Sequence, residues 1–185
     1  LMPGTFTEGA LISTSGSGSF PIQIRPYSEL VTIDLNQSSL WGLHLQGSWI
    51  IVDGLIGNNR LITIKEAAVD GIFIDGQGTK GKASNITIRG LNIQDWGYAG
   101  GAEMYGAAAV RARSGPQNIT VDSCHITRAK YLVSGSFEAG IHLWKCYGGH
   151  RILRNFIDGR SGNGFGLYDG IGGGETDIIG QGGPG

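Results

Sequence analysis

The sequence is poor in the features that mark several common protein classes. It has no apolar stretch of about 18 residues, so no segment reads as a membrane-spanning helix. Two cysteines, Cys124 and Cys146, do not make a disulfide framework. Five prolines without a G-x-y period exclude collagen. Charge is sparse and balanced: 14 basic against 15 acidic residues, a net of −1. Without a basic run or an acidic tail, nucleic-acid binding is not expected. No segment carries a 3.6-residue apolar period, which argues against helical repeats.

Glycine is abundant, at 34 of 185 residues, well above the norm of roughly 7%. Together with 40% hydrophobic residues, this predicts short buried strands joined by many tight corners. The stretch "SNITIRGLNI" (84–93) recurs as "QNITVDSCHI" (117–126). Aligning the copies puts Val121 on Ile88. Ile51 of "SWIIVDGLI" falls on Ile88 by the same logic, and Ile152 of "HRILRNFI" on Val121. A second column reads Ile56, Ile93, Ile126 and Ile157. Each copy follows a partner strand: "GLHL" (42–45), "GIFI" (71–74), "AVRA" (109–112), "GIHL" (140–143) and, more loosely, "FGLY" (165–168). "ALIST", "PIQIRP" and "LVTIDL" read as the strands of an entry coil.

Self-similarity at this period marks a repeat architecture. Propeller blades need tight hairpins, and only "GNN" (57–59) resembles one. The reading is an all-β, right-handed parallel β-helix of about five to six coils in one domain, 1–185. Residues 1–40 form the entry coil, 41–170 the repeated coils and 171–185 a glycine-rich tail. The segments 94–106 and 127–139 read as corner insertions. Alternation points Leu43, Leu45, Ile72, Ile74, Ile86, Ile88, Val110, Ala112, Ile119, Val121, Ile141 and Leu143 inward. Outward columns then read His44, Phe73, Arg111, His142, Gly166, and Gln46, Asp75, Arg113, Trp144, Tyr168. Cys124 reads as a buried apolar residue. The sequons at Asn36, Asn85 and Asn118 satisfy the glycosylation rule, but the latter two coincide with the strand repeat. "DGIGGGETD" (169–177) and "GQGTKGK" (76–82) read as corners.

The line "PGTFTEGALISTSGSGSFPIQIRPYSELVTIDL", followed by "GSWIIVDGLI" and "SNITIRGLNI", resembles the opening coils of right-handed parallel β-helix proteins. It is most similar to the polysaccharide lyases that include alginate lyases and chondroitinase B. The resemblance implies an extracellular carbohydrate-active protein acting by β-elimination on a uronate polysaccharide. It also implies a Lys base, an Arg partner and acidic Ca²⁺ ligands on outward positions. The family's acidic-x-acidic run followed by Lys, and its later Arg motif, are not present.

A lyase needs a base and a cation beside the substrate carboxylate. The candidates by position are Arg111, Arg113, His142 and Lys145, which fall on successive coils. His44, Phe73, Trp144 and Tyr168 are candidates for holding sugar rings, through flat apolar faces with polar edges. Asp95, Glu103 and Glu138 are candidates for Ca²⁺. The competing reading makes these ordinary surface side chains of a non-catalytic glycan-binding or fibre-forming β-helix. The ends of 1–185 resemble neither a natural start nor a finish and carry no capping helix, so the chain reads as a piece of something longer. Open coil ends would template self-association, as would apolar outward positions such as Ile50 and Val52.

Overall fold

In a computed structural model the chain is a parallel β-solenoid, described over residues 1–97, 107–129, 138–158 and 169–173. Each rung supplies three strands. The first holds β1 (Gly4–Phe6), β2 (Ala10–Ile12) and β3 (Ile22–Ile24). The second holds β4 (Val31–Asp34), β5 (Trp41–Leu45) and β6 (Ile50–Asp53). A hairpin, β7 (Leu55–Ile56) and β8 (Asn59–Arg60), interrupts before β9 (Ile62–Lys65), β10 (Asp70–Asp75) and β11 (Ile86–Arg89). Then come β12 (Leu91–Trp96), β13 (Ala107–Arg113) and β14 (Ile119–Asp122), followed by β15 (His125–Ala129), β16 (Glu138–Trp144) and β17 (Arg151–Leu153). The strands β18 (Phe156–Asp158) and β19 (Asp169–Gly173) begin a further rung.

These strands stack into three parallel sheets. The first is β1-β4-β9-β12-β15-β18, the second β2-β5-β10-β13-β16-β19 and the third β3-β6-β11-β14-β17. From the first to the last strand of the third sheet the chain makes about four turns. That is slightly fewer than the five to six coils expected.

Aliphatic side chains stack on their counterparts one rung away. In the first sheet the column is Ile33, Ile64, Ile93, Ile126 and Ile157. In the third it is Ile24, Val52, Ile88, Val121 and Ile152. Such stacks hold because β-branched residues fit a pleated sheet, and period-2 alternation puts every second one inside. Val52, Ile64, Ile88, Ile93, Val121 and Ile126 are fully buried. The second sheet must pass close to the first. At Gly42 and Gly71 an added Cβ would come within 2.5 Å of the Ile64 and Ile93 methyl carbons, so the small residue opening "GLHL" and "GIFI" is a packing requirement.

Five expectations are corrected. Ile88 pairs with Val52, and Ile51 pairs with Thr87. Ile51 therefore faces out, while Ile50 and Val52 are fully buried and offer no outward surface for assembly. Ile56 belongs to the hairpin, and its place in the first-sheet column is taken by Ile64. The fifth partner strand of the second sheet is Asp169–Gly173, with Ile171 beside Ile141. Residues 165–168, including Tyr168 and Gly166, lie outside the described residues, and the outward column continues through Gly172. The insertions also start later than expected: β12 runs to Trp96, whose indole is in the core.

The asparagines of the two N-I-T repeats have a local explanation. Asn85 and Asn118 turn the corner into the third sheet in the left-handed region, with φ of 55° and 53°, a conformation Asn tolerates better than most residues. The Asn118 amide donates to Asn85 Oδ1 at 3.0 Å, extending the stack through the corner. Cys124 and Cys146 are both buried free thiols. Burial pushes the Cys124 thiol up to about 11 and the Cys146 thiol to about 12. Both therefore remain protonated at neutral pH.

Candidate functional site

The second sheet carries the most functionally diverse outer face. Its strands alternate, so Leu11, His44, Phe73, Arg111 and His142 line up in one outward column, rung upon rung. Beside it runs a second column, Asp75, Arg113 and Trp144. At the leading end of the strands Trp41 sits opposite Asp70.

At the second and third rungs these positions make an aromatic cluster. Phe73 stacks on His44 with centroids 5.0 Å apart and on Trp41 at 5.2 Å, each at 27°. Trp41 and His44 approach to 4.4 Å. His44 Nε2 lies 3.6 Å from Asp75 Oδ2. Burial lowers the His44 pKa, and the Asp75 charge opposes that only in part. Trp41, His44 and Leu11 also wall a cleft of about 320 Å³ with Gly9, Ala10, Ser39 and Leu40.

At the fourth and fifth rungs the face is ionic. Arg111 is 2% exposed and its Nη2 lies 3.1 Å from Asp70 Oδ1; the Asp70 side chain is 1% exposed. Asp70 also accepts the Ala108 N–H at 2.8 Å. His142 is the next member of the column and is buried. Burial, with the Arg111 charge second, pushes its pKa down to about 4. Beside it the Arg113 guanidinium carbon stands 5.0 Å from the Trp144 ring centroid and Lys145 Nζ 5.2 Å, both within cation–π range. Lys145 occupies the corner after β16 in a left-handed conformation, φ 49°.

The sequence-expected residues Arg111, Arg113, His142, Lys145, His44, Phe73 and Trp144 thus share one face. Of the other four, Tyr168 lies outside the described residues and Glu138 opens β16 on this same sheet. Asp95 lies one residue before the end of β12 on the first sheet, where its charge helps hold the Lys65 ammonium protonated, a smaller effect than the hydrogen bond Lys65 donates to Asp34. Glu103 lies outside the described residues, as does the side chain of Glu138. Among the described residues no group of three or more His, Cys, Asp or Glu is placed to hold a metal ion. Sequence reasoning passed over Asp70 and Trp41. Their signal was available: each immediately precedes the glycine of its strand repeat, in "WGLHL" and "DGIFID".

The buried imidazole makes a pH prediction. The folded pKa of His142 is below its ordinary 6.5, so protons bind the unfolded chain more tightly. The stability this contributes is fully present above about pH 6.5 and is lost as pH falls toward 4. Thermal melts across that window should show Tm falling with pH, and His142→Gln should flatten the slope. An unchanged slope would show that the imidazole is not held neutral by burial.

No family model, no curated protein and no solved structure matches this chain, so what is shown of its kind is the parallel β-solenoid itself, read from its strand order.

Proposed function

We propose that this is an extracellular carbohydrate-binding β-solenoid that lays an acidic polysaccharide along the outer face of the second sheet. The observation that carries the reading is the pairing on one flat face of two partly exposed indoles, Trp41 and Trp144, with the cations Arg113 and Lys145 around the second. The indoles stand three rungs apart along the stack and about five residues apart along the strands, roughly 22 Å at the usual strand spacing and rise, so an extended sugar chain touching both would cross the face diagonally. Trp41 would hold a ring by its apolar face. The guanidinium and ammonium would meet carboxylates.

Binding is favoured over β-elimination by the state of the two residues best suited to chemistry. Arg111 is buried against Asp70, and His142 is buried beside it. The lyase-like reading suggested by the family resemblance would need substrate to reach both. One experiment addresses both readings. The chain is titrated with alginate, pectate and chondroitin in affinity electrophoresis, with and without Ca²⁺, while ultraviolet absorbance follows any unsaturated product. Retardation by at least one polymer is expected, weakened about tenfold in Trp41→Ala or Trp144→Ala. Absorbance growth would restore the lyase reading. Retardation unaffected by either indole would remove the second sheet as the binding face.

A further inference from the structure

The third sheet carries an unrelated charged row. Its outward edge column runs Arg25, Asp53, Arg89 and Asp122, alternating in sign from rung to rung, and Arg154 closes it beyond β17. Arg89 clamps Asp53 through Nε, at 3.2 Å from Oδ1, and through Nη2. Arg154 clamps Asp122 in the same way, at 2.9 and 2.5 Å. Arg25 Nη2 lies 3.9 Å from Asp53 Oδ2. The acids are sunk and the bases are not. The aspartate side chains are 5% and 9% exposed, against 55%, 44% and 74% for Arg25, Arg89 and Arg154. Arg60, held from the hairpin by a 2.9 Å bond to the Ser123 carbonyl, and Arg151, beside Thr120, add two more exposed cations.

We propose that this face binds a linear polyanionic glycan, carboxylated or sulfated, whose acid groups lie along the arginine row. Five arginines against two buried aspartates leave the face three charges positive on a chain whose net charge is −1. Each aspartate takes two of the five N–H donors of its arginine, and the other three belong to side chains that are 44% and 74% exposed. The clamps fix those donors in place, so less side-chain freedom is lost when an anion arrives. Arg25 and Arg89 stand two strand spacings apart, about 10 Å, which suits a chain with regularly spaced acids. The strands of this face present no aromatic ring: the neighbouring outward column is Gln23, Ile51, Thr87, Thr120 and Arg151. Single-stranded nucleic acids are gripped largely by stacking on such rings, so a sugar polymer is the better match. The inference stands apart from the second-sheet reading.

The test is isothermal titration of the whole chain with heparin, with pectate and with a single-stranded oligodeoxynucleotide of matched charge, at two salt concentrations. Binding to heparin assigns sulfate, to pectate carboxylate, and added salt should weaken either. The variant Arg25→Gln/Arg89→Gln/Arg154→Gln should bind about tenfold more weakly. A second variant, Arg89→Gln/Arg154→Gln with Asp53→Asn/Asp122→Asn, leaves no buried carboxylate without its partner and should lose affinity equally while melting cooperatively. The titrations are repeated in a Trp41→Ala/Trp144→Ala background, which removes any second-sheet contribution, and the arginine-dependent binding should persist there. The proposal falls if wild type binds neither polysaccharide, if the oligonucleotide binds more tightly than both, or if binding survives both arginine variants. Loss of all binding in that background would place the glycan on the second sheet alone and overturn the arginine row.

Discussion

An Ile88→Asp variant is expected not to fold. Ile88 is fully buried and stacks between Val52 below and Val121 above in the third sheet. The solenoid interior at that point is aliphatic, with Ile50, Ile86 and Ile119 equally buried nearby. A carboxylate there would either remain charged without a partner or take up a proton and still lack hydrogen bonds. Either outcome costs several kcal/mol, against a total stability of about 5–15 kcal/mol for a native domain. Thr87→Asp, one residue earlier and facing out, is the control and should shift Tm only slightly. The measurement is far-ultraviolet circular dichroism through a thermal melt. If Ile88→Asp melts within a few degrees of wild type, the inward assignment of the third sheet is wrong.

That assignment was legible in most rungs because the alternation is clean. "SNITIRG" and "QNITVDS" place polar residues on both sides of each apolar one, and their register is the observed pairing of Ile86 with Ile119 and Ile88 with Val121. The second-sheet strands were equally readable, since the small residue opening each of "GLHL" and "GIFI" marks where it passes the first sheet. The reading slipped by one residue at "SWIIVDGLI". Three consecutive apolar residues, Ile50, Ile51 and Val52, carry no parity of their own, and a slip of one exchanges inside for outside. The sign of the error was recoverable. Asp53 follows Val52 as Arg89 follows Ile88, and matching these polar neighbours restores the observed register. The hairpin Leu55–Ile56/Asn59–Arg60 caused the other miss. It inserts between rungs, so Ile56 falls at the expected distance without belonging to the stack. "ITIK" (62–65), a close copy of "VTID" (31–34), does belong.

The site was legible as columns and illegible as environments. Period-2 alternation says which side chains point out, and it put Arg111, His142, Arg113 and Trp144 on one face. It does not say what lies over an outward residue. Phe73 and Arg111 point outward yet are 7% and 2% exposed. Nor does it reveal lateral partners. Asp70 and Arg111 meet across neighbouring strands although 41 residues separate them in the chain. The arginine row of the third sheet had a readable signature, because Arg25, Asp53, Arg89 and Asp122 each follow the last inward aliphatic of their strand.

Removing Asp70 is the second large effect expected. Its carboxylate faces the Arg111 guanidinium at 3.1 Å with both side chains almost wholly buried, and it also takes the Ala108 N–H. Burying two charges is expensive, and their attraction repays it only while both are present. Asp70→Ala would leave the guanidinium charge without this carboxylate and the Ala108 N–H without its acceptor. The expected loss is about 3–5 kcal/mol, enough to lower Tm strongly. The nearby imidazole would respond as well. His142 already feels the Arg111 charge as a force lowering its pKa. Without the aspartate that repulsion has one less opposing charge, and the histidine should protonate still less readily. The double replacement Asp70→Leu/Arg111→Met removes both charges while keeping volume, and should recover most of the stability lost by Asp70→Ala alone. Urea melts of wild type, Asp70→Leu, Arg111→Met and the double variant complete the thermodynamic cycle. A double variant as unstable as Asp70→Ala would show that the face needs Arg111 for more than its aspartate. Recovery with glycan affinity intact would make the pair a scaffold that holds Arg113 and Trp144 level for binding. Recovery with affinity lost would bring Arg111 itself into contact with the sugar.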